Sequence, residues 1–156
     1  MEHEHFMREA ITLSQEGMDH NCGGPFGAVI VKDDAIISRG QNLVTSTNDP
    51  TAHAEMVAIR SACSHLKQFS LEGCVLYTSC EPCPMCLAAA YWARIDAIYY
   101  ANTRQDAAFI GFNDAYIYEE LALPTRRRSI AMYELLRDEA QGPFQAWLKK
   151  IDKIAY

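Results

Sequence analysis

The segments His53-Ala54-Glu55 and Pro82-Cys83-Pro84-Met85-Cys86 decide the fold and the chemistry of this chain. An imidazole and two thiolates suit Zn²⁺, and three protein ligands leave the fourth corner of a tetrahedral zinc free, as in catalytic sites. Each segment follows a predicted strand and opens a predicted helix. We therefore expect both helix starts to meet at the carboxyl edge of a sheet, where α/β folds place ligands.

The spacing within each segment assigns separate roles to its side chains. Cys83 and Cys86 are three residues apart in a first helical turn, so both thiols share one face, and the exposed N–H groups there favour thiolates. Glu55 stands two residues from His53 and points elsewhere on the helix. We expect Glu55 to hydrogen-bond the zinc-bound water and to carry its proton to the substrate.

Cys80 leaves an alternative open. It precedes Cys83 by three residues, so Cys80, Cys83, Cys86 and His53 could close a structural zinc site with no corner for water. We favour the open site, because Cys80 lies before the prolines that begin the helix and a closed site would leave Glu55 without a role.

Composition and charge narrow the class of protein. The chain has 156 residues, 49% apolar content and a formal charge of −6, which suits a small-molecule enzyme better than a nucleic-acid binder. The N-terminus is charged, and no apolar run reaches the length of a membrane span. We therefore expect a cytoplasmic protein with no membrane partner, whose six cysteines are metal ligands or free thiols.

Hydrophobic periodicity and turn signals predict one α/β domain over residues 1–156. Helices are expected over residues 3–20, 52–64, 82–93 and 143–151, an interrupted helix over 106–121, and strands over 26–32, 35–44, 75–78, 97–101 and 130–136. Asp33-Asp34 should form a hairpin turn. This order predicts three α/β/α layers around a mixed, mostly parallel five-stranded sheet. Residues 130–136 fit helix or strand, and we assign a strand to complete the sheet.

Over nearly its whole length the chain resembles bacterial guanine deaminases of the cytidine-deaminase-like fold. Its two metal segments match the H-x-E…P-C-x-x-C pattern, which is a known signature of zinc deaminases of nucleobases. The resemblance is carried by residues 23–31, by Asn48–Glu55 and Thr78–Cys86, and, more discriminatingly, by Gly111–Asp114 and Pro143–Trp147 with Tyr156. The metal segments alone would also fit cytidine, cytosine, dCMP and tRNA-adenosine deaminases.

The resemblance implies a specific set of roles. It implies that guanine is the substrate, that Asn42 bonds the purine, that Phe26 and Trp92 line its pocket, and that the backbone near Ala54 and Cys83 holds substrate or water. It further implies Asp114 as a second proton carrier beside Glu55. It also implies a homodimer that exchanges a C-terminal segment of about residues 137–156, so that Tyr156 covers the partner's site.

Other interpretations remain at this stage. Taken singly, Phe26 and Trp92 are typical of core residues, Asp114 of a helix cap, and Asn42 of a turn. The same zinc chemistry could serve tRNA adenosine, cytosine or a nucleoside instead of guanine. A non-catalytic zinc-stabilised interaction protein is a further alternative, against which the open ligand set and Glu55 both argue.

Overall fold

Two layers of helices cover a single four-stranded sheet in the computed structural model, which describes residues 2–156. The strands are β1 (Gly27–Lys32), β2 (Ala35–Gln41), β3 (Cys74–Cys80) and β4 (Ala97–Asn102). The helices are α1 (Glu2–Asp19), α2 (Val44–Thr47), α3 (Ala54–Leu66), α4 (Pro84–Trp92), α5 (Arg104–Phe109), α6 (Asp114–Ala122) and α7 (Arg137–Lys149). The predicted α/β class and the first four strands are confirmed, and the helical turn α2 was not predicted.

The sheet has the order β2-β1-β3-β4 and is mixed, as predicted. It is not mostly parallel, because β1 runs antiparallel to both of its neighbours and only β3 and β4 are parallel. The tight hairpin makes the β1–β2 pair antiparallel. Its turn residues Asp33 and Asp34 both have positive φ, at 49° and 60°, which is the conformation of a type I′ turn.

The alternation of side chains along β1 builds a core on each face of the sheet. Val29 and Val31 face α1, where they pack with Phe6 and Tyr77. Ala28 and Ile30 face the opposite way, into a larger cluster that contains Leu76 and the buried alanines of α3. Helices therefore lie on both faces, which confirms the predicted three layers.

The chain divides into two compact units, one ending at Tyr118 and the other comprising Glu119–Tyr156. The sheet belongs to the first unit. In the second, residues 130–136 form neither helix nor strand, so the predicted fifth strand is wrong for this chain. Its apolar pattern fits a strand, but β4 is an edge strand, with β3 as its one sheet neighbour in the described chain.

The helix predicted over residues 106–121 is observed as the two helices α5 and α6, and the helix predicted over residues 143–151 begins earlier in the chain. The interruption near Gly111 is confirmed: this glycine has φ of 101° and separates α5 from α6. Helix α7 begins at Arg137 and not at Pro143, which lies inside it. Acidic side chains at Asp138 and Glu139 suit a helix start, and they explain why α7 begins before Pro143.

Within residues 2–156, no helix combines the length and apolarity needed to cross a bilayer.

Candidate metal centre and active site

The first ligand segment is placed by the close packing of β2 against α3. His53 is the N-cap residue of α3, with φ of −67° and ψ of 156°, and Ala54 behind it is fully buried. A Cβ atom at Gly40 would overlap the Ala54 carbonyl, so this approach requires glycine. The start of α3, with His53 and Glu55, is therefore fixed against the sheet.

The second ligand segment has the same plan at the end of β3. Cys83 is the N-cap residue of α4, Pro84 occupies the first turn, and Cys86 follows in that turn. Proline suits this position because it has no N–H to leave unpaired. The two thiols thus lie on one helix face, as the spacing predicted.

His53, Cys83 and Cys86 converge with the dimensions of a zinc site. Their ligand atoms lie within 4.8 Å of one another, and each sulfur is 3.5 Å from His53 Nδ1. Zn–S bonds of about 2.3 Å and Zn–N bonds of about 2.0 Å place sulfur and nitrogen roughly 3.5 Å apart across a tetrahedron. The donors present therefore fit Zn²⁺ in both type and geometry.

The protonation of the metal-free cluster favours one thiolate. A hydrogen bond from Cys86 lowers the pKa of Cys83 to about 4, and the contact with His53 adds to this effect. The same bond, together with burial, raises the pKa of Cys86. The hydrogen bond to Cys83 raises the pKa of His53 against the effect of burial. A cation is thus needed before both sulfurs can be anionic side by side.

Cys80 is directed away from this cluster. Its thiol donates a 3.7 Å hydrogen bond to the carbonyl oxygen of Thr103, and burial raises its pKa to about 12. Its sulfur lies outside the group of ligand atoms formed by His53, Cys83 and Cys86, so it is not placed to bind the same ion. The open, three-ligand interpretation is therefore the one that the geometry supports.

Glu55 is buried beside the cluster, with 6% of its surface exposed. Thr78 Oγ1 donates to its Oε1 atom at 3.0 Å and also lies 2.9 Å from the Cys80 carbonyl oxygen. Burial raises the pKa of Glu55, and the bond from Thr78 opposes that shift. A carboxyl group with a raised pKa in a closed site is suited to accept and return a proton.

A cavity of about 510 Å³ opens onto these groups. Of the predicted site residues, it is lined by His53, Glu55, Cys83, Phe26, Asn42 and Asp114. The Asn42 Oδ1 atom accepts backbone N–H bonds from Gly24 at 3.4 Å and Val44 at 3.1 Å. Burial raises the pKa of Asp114, and the nearby Cys83 adds to the shift.

Phe112 also lines the cavity, and sequence analysis did not single it out. Its ring meets Phe26 edge to face, with the centroids 4.9 Å apart. Phe112 could have been found from the Gly111–Asp114 segment, which carries part of the family resemblance. We assigned a role only to Asp114 of that segment. Together the two rings form an apolar wall suited to a flat heterocycle.

Three predicted substrate residues are not among those that line the cavity: Ala54, which is fully buried at the start of α3, Trp92 and Tyr156. Trp92 is at the end of α4, is 69% exposed, and is not among the cavity-lining residues. Tyr156 ends the second unit and is also exposed. Their assignment to the substrate pocket stays a prediction, as do the roles of the cavity residues.

Comparison with known proteins places this site in a family. The profile of the cytidine and deoxycytidylate deaminase zinc-binding region matches residues 1–102. The chain belongs to this zinc deaminase family. Its members are hydrolases, Zn²⁺ is their cofactor, and His53, Cys83 and Cys86 are the candidate ligands in this chain.

Individual relatives are similar to different extents. The chain is 54% identical to the guanine deaminase of Bacillus subtilis (strain 168) over 156 residues, which cover all of both proteins. It is similar to the X-ray structure of guanine deaminase from Bacillus subtilis, with a TM-score of 0.97 over 100% of this chain and 99% of that one. A tRNA-specific adenosine deaminase of Bacillus subtilis (strain 168) is 37% identical over 150 residues, covering 96% of this chain and 91% of the relative.

Proposed function

We propose that this chain is a guanine deaminase, which converts guanine and water to xanthine and ammonia. The observation that carries the proposal is an open His53–Cys83–Cys86 site with Glu55 buried beside it, in a chain 54% identical over its full length to a guanine deaminase. The more distant tRNA deaminase relative makes tRNA adenosine the second substrate to test. The formal charge of −6 disfavours a polyanionic substrate.

The three ligands would hold Zn²⁺ with one corner open to the cavity. When bound, the metal supplies a Lewis acid that lowers the pKa of water from about 15.7 to about 7. The remaining work belongs to side chains of the protein.

Glu55 would move the proton during attack. Its carboxylate takes a proton from the attacking water and returns it to the ring nitrogen next to C2 of guanine. Thr78 holds the Oε1 atom of Glu55 through its 3.0 Å hydrogen bond, so the carboxylate has one preferred orientation. Asp114, whose pKa is raised by burial, would give a proton to the departing amine as the bond from C2 to that amine breaks. The proton that the new C2 hydroxyl group loses as it becomes the carbonyl would return to Asp114.

The cavity would bind the base by stacking and by edge recognition. The apolar wall of Phe26 and Phe112 can cover one face of a purine. Because Asn42 Oδ1 already accepts two backbone N–H groups, its Nδ2 amide remains to donate to an acceptor on the base. A pocket that pairs polar groups of the base rejects analogues that lack them.

We further propose that the enzyme is a cytoplasmic homodimer whose subunits exchange the segment 137–156. Both units expose large apolar side chains, including Tyr91 and Phe109 in the first and Tyr133 and Phe144 in the second. Where such side chains form a contiguous patch on a monomer, the patch typically marks an interface. The outer edge of β4 has no sheet neighbour in the described chain, and an edge of this kind can pair with a second copy. Tyr156 would then cover the partner's cavity.

Ammonia release across guanine, adenine, cytosine, guanosine, cytidine, adenosine and a tRNA substrate tests the proposed substrate, with zinc content measured on the same sample. We expect guanine to be the preferred substrate and about one zinc per subunit, as three protein ligands predict. Preferred turnover of tRNA adenosine or of a pyrimidine would overturn the assignment. Zinc binding with no deamination of any substrate would favour the non-catalytic alternative.

Glu55→Gln tests the assigned chemistry separately. The variant should keep its zinc, because Glu55 is not a ligand, and should lose about 10²- to 10⁴-fold in kcat, the usual contribution of general acid–base catalysis. Retained turnover would contradict the role of Glu55, and loss of zinc would place Glu55 among the ligands.

A further inference from the structure

The peptide bond that leads into Cys83 is held by a tyrosine from a distant part of the chain. The hydroxyl group of Tyr118, on α6, donates a 2.7 Å hydrogen bond to the carbonyl oxygen of Pro82. Pro82 is buried and has no N–H, so its carbonyl is its one backbone hydrogen-bonding group. Tyr118 thereby fixes the orientation of the peptide whose nitrogen belongs to the ligand Cys83.

The ring of Tyr118 is held in turn by an ion pair. The Arg104 guanidinium lies 3.8 Å from the centroid of the Tyr118 ring, within cation–π distance. Its Nε atom and a terminal nitrogen donate to Glu81 Oε2 at 2.8 and 2.7 Å, and the Arg104 backbone N–H donates to Oε1 at 3.1 Å. Glu81 is the residue before Pro82. Arg104 and Tyr118 therefore bind two consecutive residues, Glu81 and Pro82, just before the ligand Cys83.

Tyr118 also has a fixed relation to Asp114. The two residues are four apart on α6, so their side chains lie on one face, one turn from each other. Asp114 and Cys83 line the same cavity, and the charge of Cys83 contributes to raising the pKa of Asp114. A displacement of this face of α6 would move Asp114 relative to the metal ligands.

We propose that Tyr118 is a positioning residue, which sets the place of Asp114 relative to Cys83 by tying α6 to the Pro82 carbonyl. Arg104 and Glu81 support it by holding its ring. The inference rests on the proposed function only where it gives Asp114 a part in deamination. Sequence analysis assigned no role to Tyr118, Arg104 or Glu81.

The test uses Tyr118→Phe, which keeps the ring over Arg104 and removes only the hydroxyl group. Tyr77→Phe is the matched control, since it also removes a hydrogen-bonded hydroxyl group, which lies 2.7 Å from His3 Nδ1 on the α1 side of the sheet. Two quantities are measured on the zinc-loaded full-length protein: the rate of zinc loss to a chelator, and kcat/KM for guanine. The value of kcat/KM is also measured for Asp114→Asn and for the Tyr118→Phe, Asp114→Asn double variant, which completes a double-mutant cycle. The thiolate-to-cobalt absorption of the Co²⁺-substituted protein reports the geometry at Cys83.

We expect Tyr118→Phe to speed zinc loss and to lower kcat/KM, each by about 10-fold, the lower end of the range for groups that support metal ligands. In the Asp114→Asn background its effect on kcat/KM should largely vanish, and the cobalt spectrum should shift. Tyr77→Phe should match the parent in both measurements. If Tyr118→Phe only loosened the fold, it would lower the melting temperature, and its loss in kcat/KM would be the same with and without Asp114→Asn.

Additive losses in the cycle would overturn the proposal, as would a Tyr118→Phe variant that matches Tyr77→Phe in both measurements. If the parent enzyme does not deaminate guanine, the proposed substrate is wrong. The role of Tyr118 is then decided by the rate of zinc loss and the cobalt spectrum alone. In that case faster zinc loss with an altered cobalt spectrum supports the role of Tyr118, and unchanged values overturn it.

Discussion

The hydroxyl group of Thr78 sits between two acceptors, the Glu55 carboxylate and the Cys80 carbonyl oxygen, at 3.0 and 2.9 Å. It has one proton and can donate to only one acceptor at a time. While Glu55 is ionised, donation to Glu55 is favoured, because hydrogen bonds to charged groups are the stronger ones. When Glu55 carries a proton, Thr78 can turn to Cys80 and accept from Glu55 instead. The threonine can therefore support both protonation states of Glu55, as its proposed role as a proton carrier requires.

Thr78→Val should lower kcat by about 10-fold or more, because a hydrogen bond to a buried charged group contributes about 1.5–3 kcal/mol. Thr78→Ser keeps the hydroxyl group and should retain most of the turnover. Steady-state ammonia release by the three proteins checks this, with zinc content as the reference. Equal kcat in the valine and serine variants would show that the bond has no part in turnover.

Cys80→Ser should keep both zinc and activity, because the Cys80 thiol bonds the Thr103 carbonyl and lies outside the ligand cluster. A serine hydroxyl group can make the same bond. Metal analysis and ammonia release on the purified variant measure the outcome. Loss of zinc would instead restore the closed, four-ligand interpretation.

At the scale of elements, the cavity depends on a glycine loop that lies against the end of β2. A Cβ atom at Gly23 would overlap both the Oδ1 atom and the backbone carbonyl of Asn42. Because Asn42 Oδ1 also holds the Gly24 and Val44 N–H groups, displacing it disturbs two loops together. This part of the pocket has little freedom to adjust.

Gly23→Ala should therefore raise KM for guanine by about 10-fold, within the range of about 1–3 kcal/mol that overpacking typically costs. The zinc content should not change, since neither ligand segment contains Gly23. Full kinetic curves separate KM from kcat. An unchanged KM would mean that Asn42 does not bind the base, or that the loop moves aside at little cost.

Elements set by local chemistry were predictable from the sequence, and elements that depend on a distant partner were not. The hairpin at Asp33-Asp34, the break at Gly111 and the two ligand-bearing helix starts each follow from residues close together in the chain. Residues 130–136 have the pattern of a strand, but a strand forms only where it pairs with a neighbour, and β3 is the one sheet neighbour of β4 in the described chain. Phe112 and Tyr118 were missed for the same reason: their roles come from contacts with Phe26 and Pro82, far away in the sequence.

At the scale of the whole molecule, the exposed apolar side chains at Tyr91, Phe109, Tyr133 and Phe144 are the strongest reason to expect a second copy. A sheet with an open edge is prone to pair with another chain. Exchange of a terminal segment is a low-cost route to such a dimer, because the contacts of the segment already suit the partner.

Deleting residues 144–156 should convert the dimer to a monomer and abolish most of the guanine deamination. Removing Tyr156 alone should leave the dimer intact and lower kcat/KM by about 10-fold, as the loss of one substrate contact worth about 1.4 kcal/mol would do. Light scattering gives the mass and ammonia release gives the activity. A truncated protein with unchanged mass and turnover would contradict both the exchange and the covering role of the tail.

The hairpin turn at Asp33-Asp34 joins the strand ends opposite to those that carry the cavity. Six residues of β1 separate this turn from Gly27 at the other edge, roughly 20 Å at about 3.3 Å per residue. A fluorophore, an affinity handle or a surface tether introduced at this turn would stand a full strand length from the entrance used by the substrate. Immobilisation through the hairpin would also leave Tyr156 unmodified, which makes it the preferable attachment point for a sensor or a flow reactor.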